Sequence, residues 1–104
     1  MELVLAFLAG AFLTNSIPHI VSGTLGHVHM TPFGRESSAF VNVGWGYINL
    51  VFGAFILNLS GGNINELLSF NNYSIAFLLG SFGLALVAAM MFTNTQKKWF
   101  PWFK

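Results

Sequence analysis

The sequence predicts an all-α integral membrane protein, and its composition and three long uncharged segments are the observations behind that prediction. Only 7% of the 104 residues are charged, 55% are hydrophobic, and the mean hydropathy is +0.69. A typical soluble domain is about 25% charged, and a small domain needs charge to cover its large surface. Three stretches of about 20 residues lack Asp, Glu, Lys and Arg, which is the length that crosses a bilayer as a helix. We predict transmembrane helices over 3–23, 39–59 and 73–92 within a single membrane domain, 1–104.

The first segment is apolar as far as Leu13 and then becomes polar, with Pro18 near its end. Proline removes a backbone N–H and displaces the carbonyl four residues earlier, so we expect a kink near Pro18. A cleaved signal peptide is the alternative for this segment. Signal peptides begin with positive charge, whereas Glu2 is the charged residue that precedes this apolar run. We therefore favour a retained transmembrane helix.

The second and third segments are apolar and are joined to their neighbours by polar stretches. Residues 24–37 contain Gly and Pro and place Arg35 next to Glu36, so we expect a loop with turns and an ion pair between these two residues. Residues 60–72 are rich in Ser, Gly and Asn. We expect a short interfacial helix over 64–70 in the middle of this second connection.

The basic residues predict the orientation of the chain. With three crossings, Arg35 and the three lysines, which all lie in the tail 94–104, fall on one side of the membrane, while Glu2 and Glu66 fall on the other. The positive-inside rule then places the N-terminus outside and the C-terminus in the cytoplasm. The tail also carries two Trp and two Phe, which is typical of an interfacial anchor, and a protein-docking tail is the alternative.

Composition also argues against several classes of function. A net charge of +1 offers no basic surface for nucleic acid, so no nucleic-acid partner is expected. The absence of Cys removes disulfides, thiolate metal sites and thiol nucleophiles. The sequence has no paired carboxylates within the membrane, no complete Ser–His–Asp set and no glycine-rich phosphate loop. We predict that the protein is not an enzyme and has no cofactor.

A stripe of polar and small residues follows one face of the second helix. Asn42, Gly46, Asn49 and Gly53 recur at offsets of four, three and four, and Trp45 lies beside them. One interpretation is a packing face, in which the glycines allow close approach and the amides hydrogen-bond across the contact. The other is a polar pocket or path, because buried polar groups in lipid usually face a cavity or another helix.

The first helix carries its own polar pair. Asn15 and His19 lie four residues apart on one face, and Pro18 between them could open a binding notch or form an ordinary kink. His19 is the ionisable residue expected below the headgroups, and the favoured interpretation is a neutral histidine that is hydrogen-bonded near the interface. The alternative is a histidine that carries a proton or binds a ligand. His27 and His29 follow in the first loop. Because metal sites usually need three or four ligands, a site built from these histidines is a weaker alternative.

Two resemblances extend this interpretation. The pattern N-x-x-P-H at residues 15–19, T-P-F at residues 31–33 and N-V-x-W-G at residues 42–46 resembles a group of small uncharacterised bacterial membrane proteins. That resemblance implies a multi-pass protein of the bacterial inner (cytoplasmic) membrane and adds no chemistry.

The first helix is also similar to that of the SemiSWEETs, bacterial half-transporters for sugars. The similarity lies in Ala11–Thr14 followed by Ile17 and Pro18. It implies a dimer around a central substrate path. The family has Gln where His19 stands here, and the Asn of its third helix has no counterpart.

We predict a homo-oligomeric transporter or channel for a small, mostly uncharged solute, because one chain of three helices can hardly enclose a path across the membrane. The residues expected to bind the solute or line the pore are Asn15, Pro18, His19, Asn42, Trp45 and Asn49. One alternative is an accessory or scaffold subunit of a larger membrane complex, whose Asn and Gly stripes bind the helices of a partner. A less favoured alternative is a metal-binding or cofactor-binding membrane protein that uses the histidines. In each case the lipid bilayer surrounds the protein.

Overall fold

The computed structural model describes all 104 residues. Its helices are α1 (Glu2–Thr24), α2 (Ala39–Leu59), the short α3 (Ile64–Leu68) and α4 (Asn72–Thr93). α1, α2 and α4 are long and apolar enough to cross a membrane, as a multi-pass membrane protein requires. These three long helices are the predicted ones, and each end lies within one residue of its predicted position.

Side-chain caps set the starts of the later helices. Ser38, Asn63 and Asn71 cap α2, α3 and α4, and each accepts a hydrogen bond from the backbone N–H three residues later. Such caps satisfy N–H groups that the first turn of a helix leaves unpaired. The predicted short helix over 64–70 is therefore present as α3, although it ends at Leu68.

α1 lies in the middle of the bundle and packs against α2 on one side and α4 on the other, whereas α2 and α4 hardly touch each other. Glycines permit the close contact between α1 and α4. A Cβ atom on Gly10 would collide with the backbone carbonyl of Phe77, and one on Gly80 would collide with that of Phe7. Small residues thus bring these two helices together, as they do in many membrane proteins.

The stripe on α2 faces α1 of the same chain. A Cβ atom on Gly46 would lie 3.1 Å from the carbonyl oxygen of Ser16, and one on Gly53 would lie 3.0 Å from the backbone nitrogen of Leu13. All four residues of the stripe are buried. The small and polar residues predicted on this face therefore pack against α1 of the same chain.

Part of the segment predicted as a loop forms a β-hairpin instead. β1 (His29–Thr31) pairs antiparallel with β2 (Gly34–Ser37), and the Thr31 and Ser37 hydroxyl oxygens lie 2.6 Å apart in a buried hydrogen bond. The two strands have three and four residues. Strands this short leave no alternation of polar and apolar residues that a sequence could reveal.

Arg35 joins this hairpin to the C-terminal tail. Its Nε donates to the carbonyl oxygen of Thr95 at 2.6 Å, and its Nη2 donates to that of Lys97 at 3.1 Å. Its remaining terminal nitrogen donates to the carbonyl of Lys104. The expected pairing of Arg35 with Glu36 is thus replaced by hydrogen bonds to backbone carbonyls more than half the chain away, which no charge pattern in the sequence encodes.

Aromatic side chains complete the docking of the tail. The indole Nε1 of Trp102 donates to the carbonyl oxygen of Pro32 at 2.5 Å. The Phe103 ring is buried and lies 5.1 Å from the guanidinium carbon of Arg35, which places the cation over the ring face. The hairpin and the tail consequently occupy one end of the bundle, called the hairpin end below, and all four basic residues lie there as predicted.

Candidate functional site

Asn42 is the hub of the polar contacts at the hairpin end. It is 0% exposed, and its Nδ2 lies 2.9 Å from the carbonyl oxygen of His29, 3.2 Å from that of Ser37 and 3.0 Å from that of Ser38. Because carbonyl oxygens only accept hydrogen bonds, this atom must be the amide nitrogen. The amide oxygen then faces His19 Nδ1 at 2.8 Å. One side chain of α2 thereby holds both α1 and the hairpin.

Asn49 repeats this arrangement two turns further along α2. Its Nδ2 donates to the carbonyl oxygen of Trp45 at 2.8 Å, so its Oδ1 is the atom that faces α1. Asn15 Nδ2 donates to that oxygen at 3.1 Å. The two amides of α2 therefore each bind one polar side chain of α1, and both pairs lie in the α1–α2 contact.

A cavity of about 170 Å³ lies at the hairpin end, between α1 and α4. Its walls combine Asn15 and His19 of α1, Trp45 of α2, residues 30–32 of the hairpin, Phe100 of the tail and apolar side chains of α4 between 84 and 92. Eight of the twelve lining residues are hydrophobic, and none is Asp, Glu, Lys or Arg. The cavity is partly open to the surroundings. A mostly apolar cavity with a few convergent polar groups is the usual form of a small-molecule site.

Close packing of α1 on α4 ends the cavity on the side away from the hairpin. The hydroxyl oxygens of Thr14 and Ser81 lie 2.5 Å apart, which joins the two helices by a hydrogen bond. One turn further from the hairpin, Gly10 brings the backbones into contact. The cavity therefore reaches only part of the way along the bundle within one chain.

The structure brings two of the three histidines together. The ring centroids of His19 and His29 are 5.4 Å apart, and the Phe92 ring packs on His29 with a centroid distance of 4.2 Å. Burial, and to a smaller extent the neighbouring His19, lowers the pKa of His29 below its ordinary value of 6.5. His27 is exposed. No group of three or more His, Asp, Glu or Cys side chains converges on a metal position within the chain.

Two ring nitrogens near this site are enclosed without a hydrogen-bond partner, namely His29 Nε2 and Trp45 Nε1. The Trp45 ring packs edge-on against Phe33, with centroids 5.3 Å apart. Buried polar atoms without partners are uncommon in proteins, so each of these two atoms calls for an explanation. Both atoms belong to residues at the hairpin end.

The six residues predicted to bind solute fall into three groups. Asn15, His19 and Trp45 line the cavity, whereas Asn42 and Asn49 lie behind it in the α1–α2 contact and orient the first two. The remaining residue, Pro18, is not among the residues that line the cavity and lies in a groove between α1 and α4 beside it. α1 continues as one helix through this proline to Thr24.

Sequence reasoning did not identify several walls of the cavity. Met30 and Thr31 come from the unpredicted hairpin, and Phe100 comes from a tail that was expected to lie at the membrane surface. Phe92 and Met91 lie in the predicted third helix, in which the sequence indicated no residue of the site. No local pattern distinguishes them, because they become wall residues only through the docking of distant segments.

Comparisons with protein-family models, curated proteins and solved structures find no match to this chain. The two resemblances noted in the sequence therefore stay predictions. The geometry of the hairpin-end cavity is the basis for assigning a function.

Proposed function

We propose that the protein is a subunit of a homo-oligomeric carrier or channel that binds a small, mostly uncharged solute in the hairpin-end cavity. The observation that carries this proposal is the cavity itself, in which Asn15, His19 and Trp45 interrupt a wall of apolar side chains. The setting we propose is the inner membrane of a bacterium, with the N-terminus outside and the hairpin end in the cytoplasm. The activity involves no catalytic step.

The character of the wall supports an uncharged solute. A charged solute within a membrane bundle needs an opposite charge or many dipoles, because burying an unpaired charge costs several kcal/mol or more. The lining contains no carboxylate and no Lys or Arg. The arginine of the hairpin, Arg35, is occupied by carbonyls of the tail. A neutral molecule with a few hydrogen-bonding groups can therefore enter this cavity without the free-energy cost of burying an unpaired charge.

The blocked end of the cavity supports an oligomer. Within one chain the Thr14–Ser81 hydrogen bond and the glycine contacts close the far part of the α1–α4 interface. A route across the membrane would therefore need a second chain to complete it. Symmetric dimers and trimers are the simplest assemblies that place copies of one cavity around a shared axis.

A cavity-filling variant tests the transport proposal directly. Ala88 lines the cavity, whereas the adjacent Ala89 is exposed on the outer face of α4. Ala88→Leu should fill the cavity and reduce glycerol entry into proteoliposomes to the rate of protein-free liposomes. Ala89→Leu adds the same atoms to the outside of the helix and should leave the rate unchanged. Glycerol is a suitable probe because it is neutral and crosses lipid slowly.

Native mass spectrometry of the same preparations tests the oligomer. We expect more than one chain in each particle for the wild type and for both variants. Wild-type glycerol entry that equals the rate of empty liposomes would contradict the transport proposal. A particle containing one chain would contradict the homo-oligomer.

An accessory-subunit function is the second candidate, and two outward glycines favour it. Gly44 and Gly83 have no atoms within 4 Å of the position that a Cβ would occupy, so they leave room for a helix of another protein. The stripe of α2 cannot serve this purpose, because α1 of the same chain covers it. Purification from the native membrane distinguishes the candidates. A stoichiometric unrelated partner favours the accessory function, and a homo-oligomer without such a partner favours transport.

A further inference from the structure

The orientation of His19 follows from the amide of Asn42. Three backbone carbonyls surround the Asn42 nitrogen, which leaves the amide oxygen to face His19 Nδ1 at 2.8 Å. An amide oxygen cannot donate a hydrogen bond, so Nδ1 must carry the hydrogen. A neutral imidazole has a single N–H, and therefore Nε2 of His19 presents a lone pair. His19 lines the cavity, and its Nε2 is the ring nitrogen left free by these bonds.

The orientation of Asn15 follows from the amide of Asn49 in the same way. The carbonyl of Trp45 accepts from Asn49 Nδ2, so Asn49 Oδ1 must accept from α1. Asn15 uses its Nδ2 for that bond, and its Oδ1 is left free. Asn15 and His19 lie four residues apart on one face of α1, which places their side chains about 5–6 Å from each other.

The one hydroxyl group in the cavity wall, that of Thr31, already makes hydrogen bonds within the chain. Thr31 Oγ1 pairs with the Ser37 hydroxyl and accepts the backbone N–H of Phe33 at 3.1 Å. The cavity therefore offers two free acceptor atoms on α1. The indole Nε1 of Trp45 is a donor without a partner, but it is fully enclosed, and the remaining surface of the cavity is mostly apolar and aromatic. A purely apolar molecule would leave both acceptors unpaired after displacing water, which costs free energy.

We infer that this cavity selects neutral molecules that donate hydrogen bonds, with an apolar part no larger than about a benzene ring, and that His19 Nε2 and Asn15 Oδ1 are the atoms that accept. This inference rests on the proposed solute-binding function and specifies its substrate class as alcohols and related N–H or O–H donors. The volume of about 170 Å³ supports the size, because an engineered protein cavity of about 150 Å³ binds benzene. The absence of a carboxylate from the wall favours neutral donors over ammonium ions.

Two isomeric probe molecules test whether binding depends on hydrogen-bond donation by the probe, because they have nearly the same size and apolar surface. Benzyl alcohol and anisole have the same atoms, but benzyl alcohol donates a hydrogen bond and anisole only accepts. The protein is placed in lipid nanodiscs with isotope-labelled histidine, and the His19 nitrogen resonances are followed by NMR during titration with each probe. Without probe we expect hydrogen on Nδ1 and none on Nε2. Benzyl alcohol should then shift the Nε2 resonance and half-saturate at about a tenfold lower concentration than anisole, which is the effect of one well-made hydrogen bond.

Variants assign this preference to the two acceptors. Asn15→Leu keeps the size of the side chain and removes the free oxygen, so it should bring the half-saturation by benzyl alcohol close to that by anisole. His27→Gln changes an exposed histidine outside the cavity and should leave both titrations unaltered. The wild-type comparison of the two isomers stands on its own if the Asn15 variant does not fold.

Hydrogen on His19 Nε2, or equal half-saturation by the two isomers, would overturn the inference and leave solute binding intact. Failure of both probes to perturb the His19 resonances would overturn the proposed binding function and this inference with it. A shift produced by benzyl alcohol at the lower concentration, and weakened in Asn15→Leu, supports both.

Discussion

Replacing Asn42 by leucine should strongly destabilise the protein, because leucine keeps the size of the side chain and loses every hydrogen bond. Asn42 is 0% exposed. Its two amide N–H groups are shared among three carbonyls within 3.2 Å, two of them in the hairpin, and its amide oxygen accepts from His19. The substitution removes the link between α1, α2 and the hairpin and leaves the Nδ1–H group of His19 without a partner.

The magnitude follows from three hydrogen bonds, two donated by the amide N–H groups to the three carbonyls that share them and one accepted from His19. A buried hydrogen bond contributes about 0.5–1.5 kcal/mol net in soluble proteins and about 0.6 kcal/mol on average in a membrane bundle. The carbonyl of Ser38 retains a backbone hydrogen bond from the N–H of Asn42, so the lower value applies to that bond. We therefore expect Asn42→Leu to lower the free energy of unfolding by about 2–4 kcal/mol.

The assay is reversible unfolding in mixed micelles, with helix content followed by circular dichroism as SDS is added. Asn58→Leu is the matched control, because Asn58 is an exposed asparagine on the same helix. The control should change the free energy of unfolding by less than about 0.5 kcal/mol. A loss in Asn42→Leu no larger than that of the control would refute the assignment of Asn42 as the hub of these contacts.

Three further predictions concern the helix contact, the tail and pH. Gly80→Ala should cost about 1–3 kcal/mol in the same unfolding assay, because its Cβ collides with the backbone of α1, whereas Gly83→Ala enters open space and should cost little. Arg35→Gln should speed amide hydrogen exchange in the tail by removing the guanidinium hydrogen bonds to its carbonyls, and Lys98→Gln should not. Because burial lowers the pKa of His29 below 6.5, the unfolded chain takes up a proton first, and stability should fall as the pH drops through 6.5 and level off below the lowered pKa. His29→Gln should flatten this dependence below pH 6.5, and an unchanged slope would contradict the assignment to His29.

The long helices were predictable because one local requirement specifies them. A segment that crosses lipid must satisfy its backbone hydrogen bonds internally and expose apolar side chains, so its length and composition are visible in the sequence alone. The bounds of α2, 39–59, are those predicted. The predicted start of α3 at residue 64 is also the observed one, and Asn63, a preferred type of capping residue, caps it.

The hairpin and the docking of the tail were not predictable, because they depend on contacts between distant segments. The partners of Arg35 in the tail lie about 60 to 69 positions away and are backbone carbonyls, which every residue possesses. Trp102 likewise donates to a carbonyl 70 positions away. A basic aromatic tail is typical of an interfacial anchor, and nothing local in its sequence indicates a partner within the chain.

Sequence alone determined that the chain has three long apolar helices, one basic end and a small number of polar residues on the faces of α1 and α2. Only the tertiary structure decided which of those polar atoms bind each other and which have no hydrogen-bond partner within the chain. His19 and Asn42 are 23 positions apart, and Asn15 and Asn49 are 34 apart. Helical periodicity relates residues on one helix, but it does not set the rotation of one helix against another. That rotation, held by the glycine contacts and the carbonyls around Asn42, leaves His19 Nε2 and Asn15 Oδ1 free at the cavity.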